Sequence, residues 1–337
     1  LKANEAQVCG EVGLLYADMI VWDSHSGFMP DADATLNNLD LWRRAGISYL
    51  SVNVGFDVMS WYDTVKTLSS FRKWFLARPE HYLLATSAEH IRDAKRQGRM
   101  AITFDIEGMN ALNGRLDMIE FYHALGVRQM LFAYNRNNLA GGGCHDEPCG
   151  LTAFGRAAID EMNRLGIFVD LSHTGYQTTM DVMAYTDKPV IFSHSNPRVL
   201  CDHERNINDD QIRACARTGG IVSIVGLNRF LGGDHASPER IADHIDYVID
   251  LVGPRHVGIG LDYFFPDTNI PNVEIIRAAH PEYWPKSANY GSMKTEYAPP
   301  SSMIQIAEIL LRRGHPEGIV RDVMGENYMR LASEIWK

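Results

Sequence analysis

A chain of 337 residues, 45% hydrophobic and 22% charged, has the balance of a globular enzyme and the length of one α/β barrel domain spanning 1–337. A formal net charge of −10 argues against nucleic acid or an anionic membrane surface as a partner. There is no apolar run of about eighteen residues to span a membrane and no visible secretion leader, and the odd set Cys9, Cys144, Cys149, Cys201 and Cys215 is no disulfide framework; a cytoplasmic, reducing location is the expectation.

Eight short apolar runs suit strands, at 19–25, 47–54, 100–107, 127–134, 167–173, 190–194, 220–226 and 256–262. Helical patterns separate them. The stretch 151–166 places Phe154, Ala158, Met162 and Leu165 on one stripe and stops at Gly166. The stretch 237–253 opens with Ser237, Pro238 and Glu239, a cap followed by proline and acid in the first turn. Gly46, Gly126, Gly166 and Gly219 each stand between a helix and the next strand. The alternation predicts a parallel (β/α)8, TIM-like barrel. Residues 57–99 exceed one crossover and predict extra helices. The Pro-, Asn- and aromatic-rich segment 264–298 reads as a long loop over the barrel mouth, and 300–337 as helices packed outside. A doubly wound open sheet is the alternative fold, but it gives the polar strand ends no common meeting point.

In such a barrel the carboxyl ends of the strands converge on one face. The predicted strand tips include His25, Asn53, Glu107, Tyr134, His173, His194 and Asp262. A lone histidine ending a strand is commonly a hydrogen-bonded core residue. Here "DLSH" (170–173) and "IFSH" (191–194) repeat one pattern, separated by one helix length. Two imidazoles on adjacent strand tips, with Glu107 from a third, make a His2Glu set, a ligand set of catalytic zinc.

These residues resemble the renal (membrane) dipeptidase family, peptidase family M19 of the amidohydrolase superfamily. The carriers are "DSH" at 23–25, "IEG" at 106–108, the block 150–173, "PVIFSHS" at 189–195, "ERNINDD" at 204–210, "VGIGLDY" at 257–263 and "GENYMRL" near the end. The resemblance implies a TIM-like barrel in which Glu107 bridges two zinc ions, His173 and His194 hold one and His25 the other. It also implies that Asp262 accepts and donates protons and that Arg205 clamps a substrate carboxylate, for which a planar guanidinium is suited. The substrate class is then dipeptides, cleaved by metal-activated water, and a homodimer is the expected assembly.

Two positions depart from that family. Its first motif is His-x-Asp, but here Gly27 follows His25 and Ser26. Where the family has a substrate-facing histidine, this chain has Tyr134, either an oxyanion donor or an aromatic filling the mouth. Without an acid at 27, Glu107, Asp262 and one hydroxide leave two Zn2+ a charge short of neutral. One firm zinc at His173/His194/Glu107, with a weak or absent one at His25, is therefore the expectation. Asp23 lies about 6–7 Å deeper by strand rise and reads as a structural acid. Arg205 has a second reading as a loop ion pair with Asp209 or Asp210. The altered positions leave two alternatives to a dipeptidase: an amidohydrolase for N-acyl amino acids or lactones, and a metal-poor binder of small carboxylates. The proton shuttle Asp262 favours turnover.

The stretch "GGGCHDEPCG" (141–150) brings Cys144, His145 and Cys149 together but lacks the four ligands of a structural zinc, so a flexible loop is expected. His203, His235 and His256 read as surface or supporting residues, and Cys9, Cys201 and Cys215 as small buried groups. No phosphate-binding G-x-x-x-x-G-K occurs.

Overall fold

Runs of β-branched and aromatic residues form nine strands in the computed structural model, which describes residues 12–265, 273–291 and 294–337. They are β1 (Trp22–Ser26), β2 (Tyr49–Phe56), β3 (Tyr82–Leu84), β4 (Met100–Glu107), β5 (Val127–Leu131), β6 (Phe168–Asp170), β7 (Val190–Phe192), β8 (Ile221–Ile224) and β9 (Val257–Ile259). Eight of them run in the parallel order β1-β2-β4-β5-β6-β7-β8-β9. The ring closes where Ser26 bridges Tyr263, with the Gly27 N–H donating to Tyr263 O (3.2 Å) and the Asp262 N–H to His25 O (3.1 Å). This is the (β/α)8 barrel read from the sequence. The ninth strand, β3, pairs only with β4, off the barrel path. At three residues it is too short to show a period, and 57–99 accordingly read as helices alone; Trp61–Leu76 and Ala88–Arg96 are indeed helical.

The two helices read in detail form as their caps dictate. Thr152 accepts from the Gly155 N–H to start Ala153–Leu165, and Gly166 ends it at φ 85°, where a Cβ would meet Ile335 O at 2.4 Å. Ser237 accepts from the Arg240 N–H to start Pro238–Val252. The segment 264–298 is not all loop: it carries the helix Val273–Ala279 and a turn at Lys286–Ala288. The C-terminal helices divide between two tasks. Ser302–Arg312 packs on the outer helix Pro238–Val252, whereas Asn327–Ile335 plugs the amino end of the barrel. There Trp22 stacks on Tyr49 (3.6 Å) and Tyr328 (4.9 Å), with Trp336 alongside. No helix among the described residues is long and apolar enough to cross a membrane. Cys144, Cys149, Cys201 and Cys215 are free thiols; Cys9 lies outside the described residues.

Candidate metal centre

Period-2 alternation along β4 puts Thr103, Asp105 and Glu107 on one face, and their side chains meet polar partners inside the barrel. Asp105 accepts from Ser51 Oγ (2.6 Å) and Asn53 Nδ2 (3.0 Å) of β2, and the same Asn53 amide donates to Glu107 Oε1 (3.0 Å). His25 lies within β1, whereas His173 and His194 come from just beyond β6 and β7 rather than from their last residues. His173 lies three residues past β6 in left-handed backbone (φ 63°), and Asp262 stands likewise past β9 (φ 54°). Such conformations are uncommon for residues with a Cβ and cluster at functional sites. The repeated motif does place its two histidines alike: Asp170 is in register with Ile191, three residues before each.

Glu107 is the meeting point. Its Oε1 lies 3.6 Å from His25 Nε2, and its Oε2 lies 3.3 Å from His173 Nε2 and 3.7 Å from His194 Nε2. Asp262 Oδ1 is 3.7 Å from His25 Nε2. Ligand atoms of His25, Glu107 and His194 all fall within 4.8 Å of one another. The rings of His25 and His194 stack at 4.1 Å. Two imidazoles are hydrogen-bonded from behind through Nδ1, His173 with Asn135 Oδ1 (2.6 Å) and His194 with Ser193 Oγ (2.7 Å), while His25 Nδ1 faces Asp105 Oδ1 at 3.2 Å as a charge contact. Outer partners of this kind fix ring orientation and turn Nε2 toward a ligand position.

The electrostatics of the cluster suit a cation. Burial, with Asp262 and Asp105 adding to it against the pull of His25, pushes Glu107 up to about 8. Burial also raises Asp262. Burial opposes charge on His25, yet Asp105, Glu107 and Asp262 outweigh it and push this imidazole up to about 10. His173 and His194 are held well below the ordinary range, by burial first, and so stay neutral. His194 Nε2 is a buried nitrogen with no hydrogen-bond partner. An orphaned neutral imidazole nitrogen beside a buried carboxylate suits a divalent ion of borderline softness. The residues therefore fit a metal.

Two cavities meet at His173. One, of about 290 Å³, is lined by Arg205, Glu204, Cys144 and Tyr176. The other is walled by Glu107, Asp262 and aromatic rings, among them Tyr134, Trp284 and Tyr290. Arg205 is 3% exposed, donates to His194 O (3.2 Å) and lies over the Phe230 ring (5.4 Å). Among the described residues no carboxylate pairs with it: Asp210 bonds Tyr176, and Asp209 bonds Tyr247 and faces Arg213. Tyr134 stacks on His173 at 4.2 Å, and burial keeps its phenol protonated. Asp23 turns to Trp42 Nε1 (2.7 Å) and the Leu261 N–H (2.9 Å), a structural acid as expected; the register of β1 shifts between it and Ser26. The stretch 141–150 is irregular but tied down rather than loose, by Cys144 N to His173 O (2.9 Å), His145 N to Asn135 O (2.8 Å) and Gly142 N to Thr178 Oγ1 (2.8 Å). His203 supports Arg205, accepting its N–H at Nδ1 (3.0 Å), while His235 is exposed and His256 bonds Gly220 O.

Residues 31–272 match the model of the membrane dipeptidase family, peptidase family M19. The chain belongs to that family. A dipeptidase of Schizosaccharomyces pombe, itself uncharacterised and named C965.12, is 37% identical to this M19 chain over 179 residues, 50% of the chain and 42% of that protein. The match thus spans less than half of that relative's length. An amidohydrolase from Pseudomonas aeruginosa superposes with a TM-score of 0.87 at 30% identity, covering 96% of this chain and 99% of the other. A metallopeptidase from Rhodobacter sphaeroides, solved with a phosphinate mimic of the dipeptide L-Ala-D-Ala, shares the fold at a TM-score of 0.75 and 20% identity, over 95% and 100% of the two chains.

Against the M19 pattern, the departure at Gly27 has a steric reason. A Cβ there would sit 2.1 Å from Asp262 Oδ1 and 2.4 Å from Asp262 O, so Asp262 fills the space an aspartate at 27 would need. Asp105 is the residue the sequence reading left out. It places a buried carboxylate directly behind His25, and it supplies the negative charge the count at Gly27 found missing. The signal for it was present: Asp105 precedes Glu107 by one strand period.

Proposed function

We propose that this chain is a zinc-dependent hydrolase that cleaves the amide bond of dipeptides or similarly small, carboxylate-bearing substrates. The observation that carries the reading is the split of Glu107, with one oxygen toward His25 and the other toward His173 and His194. Family membership, and a related fold solved with a dipeptide mimic, support the same reading. His173, His194 and Glu107 would hold the tighter ion. His25, backed by Asp105 and flanked by Asp262, would hold a second more weakly, because Gly27 offers no ligand. Zinc so held supplies Lewis acidity and a nucleophilic water at neutral pH.

The chain's own residues supply the rest. Arg205, which pairs with no carboxylate among the described residues, receives the substrate's terminal carboxylate as a two-pronged donor. That places the carboxylate in the first cavity and the acyl part among the aromatic rings of the second. Asp262 lies within reach of the cluster on the His25 side, and its burial-raised pKa suits a group that takes a proton from water and returns it to the leaving amine. Tyr134, protonated and stacked on His173, offers a donor to the developing oxyanion.

A panel of L-L and L-D dipeptides beside N-acyl amino acids, assayed with and without added Zn2+, tests the proposal. Zinc-dependent release of free amino acids from dipeptides is the expected result. No turnover of any dipeptide by chain shown to contain zinc would overturn it.

A further inference from the structure

His145 stands in none of the roles above, yet it is buried between two hydrogen bonds. Its Nδ1 lies 2.7 Å from Glu204 Oε2 and its Nε2 2.7 Å from the Tyr290 hydroxyl. Burial first, and the charge of Arg205 second, keep the ring neutral. A neutral imidazole carries one N–H, and a carboxylate can only accept. The proton therefore sits on Nδ1, facing Glu204. Nε2 is then a bare acceptor, and the Tyr290 hydroxyl must donate to it. With its hydrogen committed, the Tyr290 oxygen offers only lone pairs to other groups.

Tyr290 walls the cavity that holds Glu107, Tyr134 and Asp262, while its anchors Glu204 and, next in chain to His145, Cys144 wall the cavity of Arg205. Guanidinium groups of Arg229 (5.2 Å) and Arg277 (5.9 Å) lie against the Tyr290 ring and hold the phenol in place. A dipeptide with its carboxylate at Arg205 and its carbonyl at the Glu107 cluster crosses between the cavities at its C–N bond. We infer that the Tyr290 oxygen, oriented by His145 and Glu204, accepts a hydrogen bond from the nitrogen of the scissile amide and so selects substrates that carry an N–H there. This inference rests on the dipeptidase reading and names a substrate contact within it. Tyr290 touches substrate; His145 and Glu204 are positioning residues.

The test compares Ala-Gly with Ala-sarcosine, which differ in whether the scissile nitrogen bears hydrogen or methyl. In the zinc-loaded enzyme Tyr290→Phe is expected to lower kcat/KM for Ala-Gly about five- to tenfold, the size of one neutral hydrogen bond, and to leave Ala-sarcosine unchanged. His145→Ala should reproduce that selective loss and add nothing to it when combined with Tyr290→Phe. Calorimetric binding of both peptides to Asp262→Asn, with and without Tyr290→Phe, gives the same comparison without turnover. Equal losses on the two peptides, no loss on either, or additive effects of the two substitutions would overturn the inference while leaving the dipeptidase reading intact. Neither peptide bound or cleaved by any form would overturn both.

Discussion

The two ends of this barrel are built from opposite materials. At the amino end Trp22, Tyr49, Phe168, Tyr328 and Trp336 form an aromatic plug under the helix Asn327–Ile335. At the carboxyl end His25, Asp105, Glu107, His173, His194 and Asp262 crowd together, nearly all as buried as the plug. Between them the interior is a column of paired polar groups, such as Ser223 with Tyr328 (2.6 Å) and Gln129 with Asp170 (2.9 Å). One end stabilises the fold by removing apolar surface from water. The other spends part of that stability on holding charged groups where water cannot relax them. The asymmetry is what allows one end to be chemical without the whole barrel becoming soft.

Breaking each end separately sharpens this contrast. The largest effect is expected from Glu107→Gln, which removes the shared carboxylate: turnover should be lost and metal affinity fall by about a hundredfold or more, beyond the range seen for supporting residues. Equilibrium unfolding should meanwhile show the metal-free fold undamaged or stabilised, since an acid whose ionisation burial opposes is gone. Metal retained at full stoichiometry by Glu107→Gln would sink the assignment. Next is Trp22→Ala at the plug, expected to cost about 3–5 kcal/mol in denaturant unfolding while kcat per folded molecule stays unchanged. A catalytic defect without a stability defect would contradict the division of labour.

A smaller effect is expected from Asp105→Asn, which leaves the shape of the cluster but removes the charge behind His25. Zinc titration of chelator-treated protein should show two steps, and this variant should weaken only the weaker one, about 10–100-fold. A single step in the parent chain, or weakening of the tighter step alone, would count against the assignment of His25. The mildest test is pH. Without metal, Glu107 is raised to about 8 and His25 to about 10, so these two groups keep protons in the folded chain that they release in the unfolded one across about pH 7 to 8, where the imidazoles held neutral in the fold, His173 and His194 among them, are mostly neutral when unfolded too. Stability of the metal-free chain should then fall as pH rises through that window. Zinc bound at the cluster would replace those protons, so the difference in Tm between zinc-loaded and chelator-treated protein should widen from pH 7 to pH 8. A difference that narrows would show that the cluster is not the metal site.

Much of the barrel was legible because it rests on local signals. Cap and stop residues such as Thr152, Gly166 and Ser237 act within one turn, and the apolar runs located all eight barrel strands. The strand ends were less legible. β6 and β7 stop at Asp170 and Phe192, before His173 and His194, because the backbone leaves the ladder to turn its histidines inward. The clustered histidines and acids could be picked out since their types are chemically distinctive and their spacing repeats. Their supporting partners could not. Asn53 could be placed at a strand tip but not given its bond to Glu107, Asn135 is an ordinary amide until the fold sets it against His173, and His145 finds Glu204 and Tyr290 across 59 and 145 residues. Asp105 could have been read from the strand period, but the charge count considered only direct ligands.

Gly27 and Asp262 compete for one volume. Placing a carboxylate at position 27 by itself would drive its first side-chain carbon into the backbone of residue 262, so the His-x-Asp motif is out of reach by a lone substitution. Any engineered or natural variant bearing an acid at 27 must also re-route the chain after β9, and the two changes would have to arrive as a pair.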